Sequence, residues 1–300
     1  MWWRRADGTL VRNLPNTRRV MPYLMRGRNE SVVYFEHEMT LRKADAFVRA
    51  WNEANPMLRI DTFHLALWAM RDLIERNPSV NRFVAGGRIY LRDGIWFSYA
   101  VKQRLEVGTP LVVIKRRFDT DESFGAMVAG MHAEQSSATS AVRNSVDKEL
   151  GLLLFFPGFV RRIIMAVVRS ADRLGLLPRG FIDKDPMYTS TFFANMASLG
   201  MPPVYHHLYE YGTCGVFGSI GRPVSEPGSP TSGPDRRRVM TVRWTYDERG
   251  DDGLNAWYAL RRFKQVLEDP EAAGLAVVAV PGGAARPSTP VERATAPVDS

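Results

Sequence analysis

The side chains best equipped for chemistry are few and widely spaced. The adjacent pair His206-His207, within Pro202-Pro203-Val204-Tyr205-His206-His207-Leu208-Tyr209, can ligate zinc or supply a general base, because neutral imidazole titrates near the working pH. No third ligand stands at a recognisable metal spacing, so the competing reading is a loop pair packed with Tyr205 and Tyr209, and no metal site is expected. His37, His64 and His132 are isolated and read as structural or surface residues. The single cysteine, Cys214, sits in Gly212-Thr213-Cys214-Gly215 with no base beside it, and reads as a small buried hydrophobe rather than a nucleophile. One cysteine forms no intramolecular disulfide, so nothing requires an oxidising compartment, and the default address is cytoplasmic.

The elements that must position these groups are legible from punctuation and periodicity. Val32 to Met39 is β-branched and aromatic and reads as a strand. A helix follows from a Thr40 cap to Asn55-Pro56, and a second, with Phe63, Leu67, Met70 and Ile74 on one face, stops at Asn77-Pro78. Arg88 to Leu91 and Ile95 to Val101 flank Arg92-Asp93-Gly94 and predict a hairpin. Further strands are expected at Leu111 to Ile114, Thr189 to Asn195, Gly215 to Ile220 and Val239 to Tyr246, with helices over Phe124 to Ala141 and through Trp257, Leu260, Phe263 and Leu267 to Asp269-Pro270. Hydrophobic residues make up 45% and charged residues 24%, an ordinary globular composition that excludes collagen-like, disordered and disulfide-scaffold chains. The expected division is an N-terminal arm over 1–31, one α+β core over 32–272 and a disordered tail over 273–300, whose Pro, Ala and Gly cannot offset their ordering entropy.

Three blocks in this order resemble the catalytic domain of the dihydrolipoyl acyltransferases of 2-oxoacid dehydrogenase complexes, whose fold is shared with chloramphenicol acetyltransferase. Thr62 to Asn81, TFHLALWAMRDLIERNPSVN, is similar to the family's helix ending in a Pro-x-x-Asn turn. Ser190 to Gly221, with STFFANMASLG and then FGSIG, resembles the family's Thr-Phe-Thr-Ile-Ser-Asn-x-Gly strand and a later strand. Val242 to Pro270 looks like its Asp-His-Arg-x-x-Asp-Gly signature and closing helix. The resemblance implies an α+β, chloramphenicol acetyltransferase-like single domain, a mixed sheet packed with helices. It also implies a homotrimer or larger homo-oligomer with sites between subunits, and coenzyme A or acyl-CoA as substrate with no tightly bound cofactor. With only residues 1–31 ahead of the first strand, a bare core is expected, without lipoyl or subunit-binding domains.

In the family a histidine is the general base and a serine or threonine hydroxyl serves the oxyanion. The histidine position here is Glu248, in Asp247-Glu248-Arg249-Gly250-Asp251-Asp252-Gly253, and an ordinary Glu titrates about two units below His, which makes it a weak base for a thiol. The hydroxyl position falls on Ala194, with Asn195 retained. Asp252 and Gly253 persist, and the family role of that aspartate is architectural, pairing with the arginine equivalent to Arg249. The candidate site is therefore Glu248, Asp252, Asn195, His206 and His207, with Arg249 and Gly253 as structural motif, and no cofactor-binding residue assigned. Either the protein is an acyltransferase with altered or lost chemistry, or it is a non-catalytic oligomeric scaffold of the same fold.

The chain carries 40 Lys plus Arg against 32 Asp plus Glu, a net charge of +8 that favours acidic partners. The basic runs Lys115-Arg116-Arg117 and Arg236-Arg237-Arg238 suit the phosphates of CoA or a solvated face. No nucleic-acid motif accompanies them, and nucleic acid is not an expected partner. Phe159 to Leu177, FVRRIIMAVVRSADRLGLL, is a basic amphipathic segment. Residues 159–177 can lie on a membrane surface or pack against the sheet or a neighbouring subunit, and both readings stay open.

Overall fold

The central strand over Val216–Ile220 is buried on both faces, whereas the edge strand over Val32–Thr40 exposes Tyr34, Glu36, Glu38 and Thr40, and side chains alternate between two environments. The computed structural model describes residues 5–102, 111–138, 151, 154–226, 228–230 and 237–280. In chain order these form β1 (Gly8–Leu10), α1 (Asn16–Leu24), β2 (Val32–Thr40), α2 (Arg42–Ala54), α3 (Thr62–Arg76), β3 (Arg82–Ala85), β4 (Arg88–Arg92) and β5 (Ile95–Lys102). Then follow β6 (Leu111–Phe118), α4 (Phe124–Ala138), α5 (Gly158–Leu174), α6 (Arg179–Lys184), β7 (Thr191–Asn195), β8 (Val216–Ile220), β9 (Val224–Ser225), β10 (Arg238–Asp247) and α7 (Gly253–Glu268). The large sheet runs β2-β10-β8-β7-β5-β6, with β9 on the end of β10, and a small sheet runs β1-β4-β3. The pairs β5/β7 and β7/β8 are parallel and the rest antiparallel, which makes the large sheet mixed, as expected.

Helices α2, α3, α4 and α7 cover one face. There Met240, Val242, Trp244 and Tyr246 of β10 join Phe97, Phe193, Phe263, Trp51 and Leu67 in the main core. The next residue along each strand turns the other way. Phe192 stacks on Phe217, centroids 5.4 Å apart, in a second cluster with Leu208, Cys214, Val32 and Ala194 on the opposite face. At Gly218 the main core comes close to the backbone: a Cβ there would lie 2.7 Å from the Trp244 ring and 2.9 Å from that of Phe193.

Three expectations change. Arg88 to Leu91 and Ile95 to Val101 are not a hairpin: β4 pairs with β3 and β1, whereas β5 pairs with β6 and β7. The Asp93-Gly94 turn, with Gly94 at φ 77°, passes the chain from the small sheet to the large one, and the true hairpin turns at Gly86-Gly87, both at positive φ. Thr40 is the last residue of β2, not the cap of α2, and its N–H and hydroxyl are held by Glu268. The stretch expected to begin the tail packs instead on the core through Ala273, Leu275, Val277 and Val280, and Val280 N–H donates to Asn55 Oδ1 at 2.7 Å. The expected tail from 281 onward, like the expected helix end beyond Ala138, lies outside the described residues.

Phe193 is fully buried between Phe97, Phe63 and Trp244, so Phe193→Ala is expected to cost about 3–5 kcal/mol through lost contacts and a cavity. Urea unfolding reads this as a lower midpoint at unchanged slope. A loss below about 1 kcal/mol would contradict that packing.

Candidate functional site

β10 ends in a turn that the N-terminal segment grips from outside the sheet. Alternation puts Asp247 on the face away from the core helices, where it is buried. Arg249 folds back on it in a two-point pair, Nε to Oδ1 at 2.9 Å and Nη2 to Oδ2 at 2.7 Å, and Ser31 Oγ donates to Oδ1 at 3.0 Å. The Glu248 N–H donates to the Ser31 carbonyl at 3.0 Å, and Arg18 Nη1 on α1 donates to the Glu248 carbonyl at 2.5 Å. The backbone of Glu248 is thus fixed on both sides. Its side chain is half-buried, and its carboxylate has no hydrogen-bond or ion-pair partner among the described residues.

The motif aspartate pairs differently from the family expectation. Asp252 is the N-cap of α7, its Oδ1 accepting the Asn255 N–H at 2.8 Å, and its nearest cation is Arg18, 4.0 Å away, not Arg249. Asp247 takes the arginine instead, since it lies beside Arg249 on the buried face. Asp251, also buried, faces Arg82 at 3.7 Å. Gly253 opens α7, and a Cβ on it would meet only Phe35, at 4.0 Å, so no close contact demands a glycine.

The other candidates lie elsewhere along the sheet, Ala194 on the same face and Asn195 at the strand end, level with Ile220 of the main core. Ala194 packs in the cluster of Phe192 and Phe217 and pairs in register with Ser219, whose Oγ accepts the Val204 N–H at 3.0 Å. Asn195 caps the short turn after β7, its Oδ1 accepting the Ser198 N–H at 3.3 Å. His206 stacks flat on Phe217 at 4.1 Å and on His207 at 4.6 Å, its Nδ1 2.7 Å from the His207 carbonyl. Burial lowers the His206 pKa. Thr245 Oγ1 donates to the His206 carbonyl at 2.5 Å and holds the loop across the C-terminal half of β10. The pair therefore packs with its aromatic neighbours, Tyr209 included.

Strand register fixes how far apart these groups are. Ala194 is level with Ser219 and Arg243, and Thr191 is level with Val216 and Tyr246. Asn195 therefore lies toward one end of the strands and Glu248 beyond the other, with about 16 Å of strand rise between the levels of Ala194 and Glu248. One chain does not bring Ala194 and Asn195 to Glu248.

The Glu248 turn instead borders, through Arg249, a cleft of about 830 Å³, within the roughly 300–1,000 Å³ of small-molecule sites. Arg26, Arg28, Arg88, Arg169, Arg173 and Arg249 line it, against the carboxylates of Asp172 and Glu210. Arg28 is buried and spends its guanidinium on backbone carbonyls, Nη1 on Tyr209 at 3.0 Å and Nη2 on Gly212 at 2.5 Å. Burial lowers its pKa, and Asp247 works against that shift. The side chains come from the N-terminal segment, the β3/β4 hairpin, α5 and the turn after β10. No run or spacing in the sequence unites them, so inspection of the sequence misses them.

The two basic runs are already engaged. Lys115 donates to the Ile182 and Asp185 carbonyls, and burial lowers its pKa to about 8. Arg116 pairs with Glu122, Arg117 with Asp119, Arg237 with Glu226 and Arg238 with Asp45, while Arg236 lies outside the described residues. Cys214 is buried, donating to the Val216 carbonyl at 3.1 Å, and burial raises its thiol pKa. Among the described residues no three His, Cys, Asp or Glu side chains gather as a metal site.

No protein-family model and no curated protein sequence matches the chain. Solved structures do. A probable dihydrolipoamide acetyltransferase from Listeria monocytogenes 4b F2365 superposes with a TM-score of 0.54 at 15% identity, covering 90% of this chain and 99% of that one. The cubic core of the pyruvate dehydrogenase multienzyme complex gives 0.54 at 13% identity, over 88% and 94%. A truncated catalytic core of the 2-oxoacid dehydrogenase multienzyme complex from Thermoplasma acidophilum gives 0.52 at 13% identity, over 87% and 99%. The chain has the α+β fold of these acyltransferase cores, the fold its sequence blocks imply.

Two outcomes test the local account. Asp247→Asn leaves the buried Arg249 without its charge partner and is expected to cost about 3–5 kcal/mol in urea unfolding; a loss under about 1 kcal/mol would show that the pair does not hold the turn. His37 is buried against Trp257 with neither ring nitrogen hydrogen-bonded among the described residues, and burial, then Lys264, lowers its pKa. The unfolded chain takes up this proton near about pH 6.5 and the folded chain resists it, so the contribution is present above that pH and lost as pH falls toward the folded pKa. His37→Phe is expected to weaken the fall in the urea midpoint between about pH 7.5 and about pH 5, and an unchanged fall would contradict this.

Proposed function

We propose that this chain is a CoA-dependent acyltransferase-family protein that binds CoA or acyl-CoA in the arginine-lined cleft beside the Glu248 turn, with family-type acyl transfer altered or lost. The observation that carries the reading is that cleft, where the exposed Arg26, Arg169 and Arg173 offer a polyanionic ligand charge-assisted hydrogen bonds, while Arg28 and Arg249 are held by backbone carbonyls and Asp247, at the Glu248 end of an acyltransferase-core fold. An altered chemistry is supported by the residues themselves. A carboxylate stands at Glu248, a methyl at Ala194, and Asn195 is spent as a cap. Thiol attack on a thioester needs a base matched to the thiol and a donor for the oxyanion, and neither an ordinary carboxylate nor an alanine supplies those.

A homotrimer or larger homo-oligomer belongs to the same reading. Ala194 and Glu248 sit at opposite ends of the strands, so only a second copy can bring the two positions into one channel. A cytoplasmic address rests on the single unpaired cysteine. The second reading, a non-catalytic oligomeric scaffold, is favoured by the same two substitutions and differs in having no use for the cleft.

Ligand-linked stability separates the two. Coenzyme A at about a hundred times its Kd is expected to raise the thermal midpoint by roughly 5–10 °C, and Arg26→Ala with Arg169→Ala to reduce that shift. A midpoint indifferent to CoA and acetyl-CoA would leave the scaffold. Acyl transfer to a small thiol is expected near background and unchanged in Glu248→Gln, and a clear loss in that variant would make Glu248 a working base.

A further inference from the structure

Among the described residues, helix α5 is the one long amphipathic segment that the main core does not absorb. Its residues fall into three arcs at 100° per residue. Val160, Ile164, Val168 and Ala171 are half-buried, with Val168 and Ala171 packed beside Leu177, Ile182 and Tyr188. Phe159, Ile163, Val167 and Leu174 form an adjoining stripe, each between 59% and 66% exposed. Next to that stripe, on the solvent side, run Arg162, Arg169 and Arg173, also exposed and without an ion-pair partner among the described residues. The only acid on the helix, Asp172, turns inward and pairs with Arg5 at 2.8 Å. Exposed Leu154 and Phe155 continue the apolar surface ahead of the helix and Leu176 continues it behind.

We propose that this face of α5 docks on an anionic lipid surface, with Phe159, Ile163 and Val167 entering the headgroup boundary and Arg162 meeting lipid phosphates, while Arg169 and Arg173, which also line the cleft, add positive charge to the same face. Charge selects this occupant. A second copy of the same face in a two-fold contact would set one arginine row against another with no acid between them. A bilayer surface supplies both what the stripe needs, an apolar phase a few ångströms deep, and what the row needs, a plane of negative charge. Arginine stems also reach upward from a buried helix while keeping their heads in the polar layer. The helix lies on the surface and does not span, since among the described residues no helix is long and apolar enough to cross a membrane.

The full chain sedimented with vesicles provides the test, and it involves no CoA. Binding is expected to vesicles containing phosphatidylglycerol, to be weak on pure phosphatidylcholine, and to fall as salt rises. Arg162→Gln is expected to lower partitioning roughly fivefold, and Ile163→Asn with Val167→Asn to abolish it, with thermal midpoints unchanged because these side chains face solvent. No sedimentation with anionic vesicles would overturn the proposal, and so would binding that ignores lipid charge or survives both variants. Self-association in solution that Ile163→Asn with Val167→Asn abolishes, without vesicle binding, would overturn it in favour of a second copy. Capture of an acidic amphipathic peptide in place of vesicles would overturn it in favour of a protein partner.

Discussion

The buried pair between Asp247 and Arg249 is the interaction on which the site depends. A carboxylate at the end of a central strand, turned away from the main core, would be costly to bury alone. The two-point contact with Arg249 and the Ser31 hydroxyl offset that cost, and Ser31 in turn receives the Glu248 backbone. The segment from Arg18 to Ser31 is therefore a structural part of the turn and not a loose arm. Through that segment the same pair sets one wall of the cleft, because Pro22, Tyr23, Arg26 and Arg28 lie between Arg18 and Ser31.

Strand register then decides what a single chain can do. Parallel β7 and β8 carry Ala194 and Asn195 toward one end, while antiparallel β10 carries Glu248 to the other. The residues at the family's base and hydroxyl positions are separated by the length of the strands, so their relation is a property of an assembly. Within one chain, the turn that carries Glu248 borders the arginine cleft through Arg249, and Ala194 has Phe192 and Phe217 for neighbours. His206 and His207 lie between the two ends and are occupied in stacking.

Much of the fold was legible because local chemistry and global packing agree. The Asn55-Pro56, Asn77-Pro78 and Asp269-Pro270 stops end their helices where expected, and Phe63, Leu67, Met70 and Ile74 mark the face of α3 that meets the core. The hairpin was misplaced because Asp93-Gly94 is a strong turn signal that serves here as a crossing between sheets, while Gly86-Gly87, equally suited to a tight turn, makes the pairing. The Glu248 turn could be placed by its spacing from the closing helix, but its partners could not, since Asp247 and Asp252 are both plausible mates for Arg249 and only burial chooses between them. The cleft arginines were invisible because four separate segments contribute them. The exposure of Ile163 and Val167 was equally hidden, as a helix with this stripe is ordinarily turned inward.

Calorimetric titration of the full chain with CoA and with pantetheine, which lacks the nucleotide phosphates, tests the central claim most directly. The cleft predicts that CoA binds, that pantetheine binds at least tenfold more weakly, and that Arg26→Ala with Arg169→Ala removes most of the difference. Equal affinity for the two ligands, or no heat with either, would contradict the assignment of the cleft to a phosphorylated acyl carrier.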